Sequence, residues 1–83
     1  IVKPELNKKF SKLKKKNPLH LEIIDKKSGE IRKNPHRYKN LSGKSKHLKR
    51  VHINTHFVLT FSIDEKNKTV YLIDFDHHDN IYQ

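Results

Sequence analysis

The sequence contains no cysteine, which excludes disulfide bonds and thiolate chemistry. It also lacks any apolar run that approaches the roughly 18 residues of a membrane-spanning helix, and it has no signal-peptide core. We therefore expect a cytoplasmic protein with no membrane partner. Acidic residues are scarce as well, since nine Asp and Glu stand against nineteen Lys and Arg and leave a formal net charge of +10.

This excess of positive charge indicates a polyanionic partner, because a compact body of 83 residues repels itself at such a charge. Nucleic acid is the first candidate and an acidic protein is the second. A membrane surface is disfavoured, because the sequence has no amphipathic basic helix with large apolar anchors. A lysine-rich surface typical of a heat-loving organism is the ordinary alternative. Charge therefore favours a nucleic-acid function without deciding between these alternatives.

Helical patterns fill the N-terminal half of the chain. Pro4 suits a first helical position, where its missing N–H has no intrahelical role. Leu6, Phe10 and Leu13 then recur on one stripe of a helix. The Asn-Pro pair at 17–18 restarts the pattern as an N-cap and a first helical residue. These signals predict two consecutive helices.

From Leu48 onward, apolar residues recur at every second position, which is typical of strands. Polar turns at 54–56 and 64–68 divide this segment into three antiparallel strands. In such a meander the outer strands flank the second, so the chain after the third strand lies at the same sheet end as the first turn. We predict an α+β fold with two N-terminal helices packed on a small, mainly antiparallel β-sheet. We expect one domain over 1–83, with 1–3 as the end of a first strand, 4–34 as two helices, 35–47 as a basic loop and 48–83 as the three-stranded meander and a C-terminal catalytic motif.

Histidine is the residue that suits chemistry here, and the sequence has seven. Arg50 and His52 are two apart on a strand and point to the same face. We expect the tail to fold back beside them, so that His56, His78 and Tyr82 converge with His52. Such a group suits RNA cleavage by internal transfer, which requires a base for the 2′-OH proton, an acid for the leaving 5′-oxygen and a cation for the phosphate charge. We expect neither a metal nor a cofactor for this reaction.

Ordinary interpretations exist for the same residues. His52 is unremarkable on an exposed strand face, His56 fits a solvated turn, and Tyr82 fits a packing role near a chain end. A zinc site formed by His52, His56, His77 and His78 is disfavoured, because cysteine is absent and the ligand spacing is weak. The aspartates are scattered and do not resemble a two-metal cluster. The remaining three histidines are expected at the surface: His20, His36 and His47.

Three segments resemble the RelE/YafQ family of toxins from toxin–antitoxin pairs. They are the Leu41-Ser42-Gly43 loop, the strands at 50–59 and the tail at 76–82. The family pattern has a Leu-x-Gly loop, a strand with basic or His residues and a hydrophobic second strand. It closes with His or Arg, three further residues, and Tyr or Phe. The resemblance covers roughly 41–83 and implies a RelE-like fold of the microbial ribonuclease type, with the two helices in the expected order.

Site roles follow from the resemblance position by position. His52 matches a histidine that the YafQ branch uses in its active site. His78 matches the closing His or Arg, which serves in acid or base chemistry. Tyr82 matches the aromatic that stacks on a base or assists proton transfer, and Arg50 matches a position that contacts phosphate. His56 departs from the pattern, because the YafQ branch has an aspartate there.

Further departures concern the branch of the family. Val58 occupies a position where many RelE members carry a functional arginine, and the YafQ branch is apolar there. Lys39 stands where YafQ-like members place another histidine, so it is open which histidine is the acid and which is the base. Side chains near the site are expected to contact RNA: Arg37, Lys44, Lys46, Lys49 and His77.

The resemblance leads to a functional hypothesis. The chain would be a toxin that acts as a ribosome-dependent mRNA endonuclease (an mRNA interferase) and inhibits translation, by metal-independent attack of a ribose 2′-OH on the phosphate. Its expected partners are the ribosome, mRNA and an acidic antitoxin that wraps the toxin in a hetero-oligomer. Three alternatives stay open: a ParE-like toxin that inhibits DNA gyrase, a non-catalytic RNA-binding module, and an inactive family member kept as an antitoxin-binding partner.

Overall fold

The computed structural model describes residues 1–43 and 46–81. Helix α1 spans Pro4–Lys16 and helix α2 spans Pro18–Lys33. Asn17 separates them, because its backbone N–H closes α1 on the Leu13 carbonyl while its side chain accepts the His20 backbone N–H at the start of α2. One residue thus ends one helix and caps the next.

Helix α2 continues through Ser28 and Gly29 to the Asn34-Pro35 pair. The Ser28 hydroxyl donates to the Ile24 carbonyl at 2.8 Å, so this polar residue is accommodated within the helix. Asn34 ends α2, and a single 3-10 turn follows at Pro35–Arg37. The segment after this turn leads to the sheet.

The sheet has three antiparallel strands in the order β1-β2-β3: Lys49–Ile53, Phe57–Asp64 and Thr69–His77. The short helix α3, His78–Ile81, follows β3 directly. The predicted α+β fold is confirmed, and so is the prediction that the outer strands flank the second. The turns use left-handed backbone at Asn54 (φ 59°) and Lys68 (φ 50°). A bulge between Thr60 and Phe61 shifts the register of the β2–β3 pair.

Both outer edges of the sheet carry further backbone pairing. At the β3 edge, Val2 forms a parallel bridge with Leu72, and Lys3 donates its backbone N–H to the Leu72 carbonyl at 3.1 Å. At the β1 edge, Asn40 bridges Lys49 in the antiparallel sense. Segments outside the three strands therefore cover part of each edge.

The core lies between the two long helices and one face of the sheet. Phe61, Leu6 and Ile31 are at most 1% exposed, and each such side chain contributes roughly 1.5–3 kcal/mol on burial. His20 belongs to this interior at 6% exposure, so its predicted surface position is wrong. Its ring lies edge-on to Phe57 at 4.7 Å between centroids. The remaining members of the apolar cluster are Ile24, Val51, Ile53, Leu59, Leu72 and Phe75.

The second face of the sheet, called the open face below, lies opposite the helices. Strand register places Arg50, Thr60 and Asp74 in one row on it, and His52, Val58 and Asp76 in the next. The central side chains of both rows are buried, while His52 is exposed. Within 1–43 and 46–81, no helix combines the length and the apolar composition needed to cross a membrane.

Candidate active site

Three histidines meet where the β1–β2 turn approaches the end of β3. His56 lies in the turn, His77 ends β3 and His78 begins α3. The ring centroids of His56 lie 5.8 Å from His77 and 6.0 Å from His78, and those of His77 and His78 are 4.6 Å apart. We call these three residues the histidine cluster.

Backbone pairing explains why the cluster forms. Phe57, the first residue of β2, pairs with His77, the last residue of β3. The backbone N–H of His78 donates to the His56 carbonyl at 2.8 Å, which fixes the start of α3 on the turn. The prediction that the end of β3 lies beside the 54–56 turn is therefore confirmed.

Asp79 holds two rings of the histidine cluster. Its backbone N–H donates to Nδ1 of His77 at 3.2 Å. One of its carboxylate oxygens lies 3.0 Å from Nδ1 of His78, and the other lies 3.6 Å from Nδ1 of His77. Both Nδ1 atoms therefore face Asp79, which leaves the Nε2 atom of each ring for other partners.

A second polar group connects the sheet to α1 beside the cluster. The Lys9 ammonium donates to an Asp74 carboxylate oxygen at 2.7 Å and to the Phe75 carbonyl at 3.1 Å, and it lies 3.6 Å from the Asp76 carboxylate. Desolvation lowers the pKa of Lys9, but the hydrogen bond and charges of these carboxylates outweigh it and raise the pKa overall. No sequence pattern singles out Lys9, because its role depends on how α1 docks against β3.

Asp76 accepts two hydrogen bonds in addition to its ion pair with Lys9. The Asn80 side-chain amide donates to it at 3.0 Å and the His77 backbone N–H at 2.7 Å. The Asn80 bond is the largest cause of a lowered pKa for Asp76, with the His77 N–H and Lys9 adding to it against a smaller opposing effect of burial. Asp76 is thus held as a carboxylate next to the histidine cluster.

Arg50 and His52 lie apart from the histidine cluster. They project from β1 onto the open face, whereas His77 belongs to the row of Ile53 and Phe57 on the helix-packed face. Among the described residues, no ring contact joins His52 to the cluster. The structure therefore brings His56 and His78 together and adds His77, but it does not show the expected convergence with His52. Tyr82 lies outside the described residues.

Three of the predicted RNA-contacting residues lie at or near the start of β1: Arg37 in the 3-10 turn, Lys46 in the turn before β1, and Lys49 as its first residue. The Lys49 ammonium donates to the Tyr38 carbonyl at 2.9 Å and to the Asn40 side chain at 2.8 Å. The Arg37 guanidinium stacks over the Tyr38 ring at 5.3 Å, and Lys46 is exposed in a turn. Lys44 lies outside the described residues. Lys49 alternates with Arg50 along β1, so it belongs to the helix-packed side of this strand and not to the open face.

Neighbouring imidazoles can exchange protons with a substrate near neutral pH, one as base and one as acid. They can also hold a metal ion, since one nitrogen from each of His56, His77 and His78 lies within 4.8 Å of the other two. The site therefore has the groups for proton transfer, for cation binding, or for both in different states.

Two archaeal proteins are similar to the chain over almost its whole length. A protein of Methanosarcina mazei named "Uncharacterized protein" is 60% identical over 81 residues, which cover 98% of this chain and 94% of the relative. A protein of Methanocaldococcus jannaschii named "Putative toxin RelE4" is 52% identical over 82 residues, which cover 99% of this chain and 87% of the relative. No protein-family model matches the chain, and no solved structure matches it.

Proposed function

The chain belongs to the RelE-like toxin family, and we propose on this premise that it is the toxin of a toxin–antitoxin pair and cleaves mRNA on the ribosome. The observation that carries the proposal is the meeting of His56, His77 and His78 at one sheet end. RNA cleavage by internal transfer needs two proton-transfer groups close together, and this cluster supplies them without a metal. The reaction joins the ribose 2′-OH to the phosphate and expels the 5′-oxygen.

His78 is the central proton-transfer residue in this proposal. Asp79 orients its ring through the 3.0 Å contact with Nδ1, which directs the other nitrogen away from the carboxylate. His56 is the nearer partner by geometry, with its ring centroid 6.0 Å away. The resemblance instead favours His52, which lies two strand spacings from β3, roughly 10 Å. We assign His56 as the partner of His78 and give His52 a role in holding the RNA on the open face.

Arg50 and the predicted RNA-contacting lysines and arginine bind the phosphates in this proposal. Arg50 lies in the row of the open face next to that of His52, and a guanidinium matches two phosphate oxygens at once. Asp74 and Asp76 lie across the same face, where they would repel RNA, but the Lys9 ammonium compensates part of their charge. In this proposal further RNA contacts come from five side chains: Arg37, Lys44, Lys46, Lys49 and His77. Tyr82 stacks on a base.

The partners follow from the same family membership. Ribosomes present the mRNA, so we expect cleavage in the cytoplasm and little activity on free RNA. An acidic antitoxin is expected to wrap the toxin, and a formal charge of +10 favours such a partner. Purification together with an acidic protein encoded beside this chain would support that assignment.

Inducible expression with primer-extension mapping of mRNA ends tests the proposal. We expect cuts within translated codons, lowered by about 100-fold or more in His78→Ala. His36→Gln is the matched control, because His36 is an exposed histidine paired with Glu65 in a different part of the chain. Growth arrest that persists in His78→Ala with no new mRNA ends, or with inhibited DNA supercoiling, would overturn the proposal in favour of a gyrase inhibitor.

A further inference from the structure

We propose that His56, His77 and His78 form a binding site for a divalent transition-metal ion of the zinc class. Imidazole nitrogen is a preferred ligand of zinc, nickel and copper, and three histidines with one open position form a known type of zinc site. The sequence suggested four candidate ligands, and the structure selects three of them by position. His52 is excluded because it lies on the open face of the sheet.

The geometry of the three nitrogens suits such an ion. They lie within 4.8 Å of one another, so an ion at the centre of the triangle is about 2.8 Å or less from each, against 2.0–2.1 Å for a zinc–imidazole bond. Each nitrogen therefore has to move by less than about 1 Å, which side-chain rotation supplies. His56 is exposed and its two partners are half-buried, so the rings have room to rotate.

Asp79 supplies the outer support that metal-bound histidines usually have. A ligating imidazole typically donates its second N–H to a carboxylate, which fixes the ring and strengthens the ligand. An Asp79 oxygen lies 3.0 Å from Nδ1 of His78, and the other lies 3.6 Å from Nδ1 of His77. The Nδ1–H of His78 can donate to Asp79, so the metal would take Nε2 of His78. Nδ1 of His77 accepts the Asp79 backbone N–H, so His77 would bind through Nε2 only after its ring proton moves to Nδ1.

A bound ion would join two segments that are far apart in sequence. His56 belongs to the β1–β2 turn, whereas His77 and His78 belong to the junction of β3 and α3. The ion would add to the backbone hydrogen bond from His78 to His56 and hold α3 on the turn. It would also occupy the free nitrogen of His78, so the metal-bound form would be inactive in RNA cleavage; this consequence, unlike the binding itself, rests on the proposed function.

Calorimetric titration of the purified 83-residue chain with zinc chloride, after treatment with a chelator, tests the site. We expect one ion per chain, and an affinity that falls by about tenfold or more in His56→Gln and again in His77→Gln. His56 is exposed in a turn, so its replacement leaves the core unchanged, and circular dichroism checks the fold of both variants. His36→Gln is expected to keep the parent affinity. Cobalt(II) provides a second readout, because a strong visible absorption indicates four-coordinate geometry.

The outcomes separate this proposal from the proposed function. Absence of binding, or binding that His56→Gln and His77→Gln leave unchanged, overturns the metal site and leaves RNA cleavage unaffected. Zinc binding that depends on both residues, in a chain that cuts no mRNA on ribosomes, supports the site and contradicts the proposed function. The titration contains neither RNA nor ribosomes, so its result bears on the metal site alone, and the separate cleavage assay bears on the proposed function.

Discussion

The backbone N–H of His78 donates to the His56 carbonyl across a separation of 22 residues, at 2.8 Å. This bond fixes the backbone positions from which two rings project, and we assign proton transfer to those rings. We expect the His78 amide to exchange with solvent slowly, at a rate set by opening of the sheet end. Hydrogen exchange followed by NMR measures it, and the protection should persist in His56→Gln, which keeps the carbonyl. Exchange at the rate of an unprotected amide would show that the turn and α3 are not joined.

His20 supports the histidine cluster through its ring contact with Phe57, the residue of β2 that pairs with His77. We expect His20→Ala to lower the free energy of unfolding by roughly 2–4 kcal/mol, because it leaves a cavity beside an aromatic ring. Urea unfolding of the purified chain measures the change. His47→Ala is the control, since His47 is exposed in a turn and its removal creates no cavity. Equal stability of the two variants would contradict the buried position of His20.

Lys9 joins α1 to β3 through Asp74 and Asp76. Its side chain is 42% exposed, so we expect Lys9→Gln to cost only about 0–1 kcal/mol at neutral pH. Because the folded-state pKa of Lys9 is raised above its ordinary value of 10.5, the contribution is complete below that pH and disappears as pH rises through the raised value. Urea unfolding at neutral and at alkaline pH compares the parent with Lys9→Gln. A stability difference that grows on alkalinisation would contradict the ion pairs, and Lys8→Gln on the same helix controls for lost charge.

The choice of proton partner for His78 also has a direct test. If His56 is the partner, His56→Gln should lower the rate of mRNA cleavage at saturating ribosome concentration by about 100-fold or more. His52→Gln should instead weaken substrate binding and leave that saturated rate nearly intact. Single-turnover cleavage on programmed ribosomes separates the two effects. A larger loss of saturated rate in His52→Gln would return His52 to the role that the family resemblance gives it.

Sequence patterns were sufficient for the fold and for one part of the site. The period of two after Leu48 and the polar turns predict the meander, and the meander places His56 and His78 at one sheet end. The expectation that His20 lies at the surface is wrong. His20 lies on the same helical stripe as Ile24 and Ile31, and this spacing indicates burial.

Other features depend on tertiary contacts that no local pattern encodes. Lys9 acquires its partners only when α1 docks at the β3 edge. The separation of His52 from the histidine cluster follows from the alternation of side chains along each strand. His52 pairs with Val58, which pairs with Asp76, so these three residues lie on one face, while His77 in the next row lies on the other. A shift of one residue in either register would have reversed that result, and the sequence alone does not fix the register so closely.

The central claim is that this chain cleaves mRNA on the ribosome by attack of a ribose 2′-OH. The most direct measurement uses purified chain, ribosomes and an mRNA that carries a single 2′-deoxynucleotide immediately 5′ of a mapped cleavage site. We predict that cleavage at this position is abolished while cuts at unmodified codons of the same mRNA continue. Cleavage that continues at the 2′-deoxy position would contradict the account, because the attacking hydroxyl is absent there.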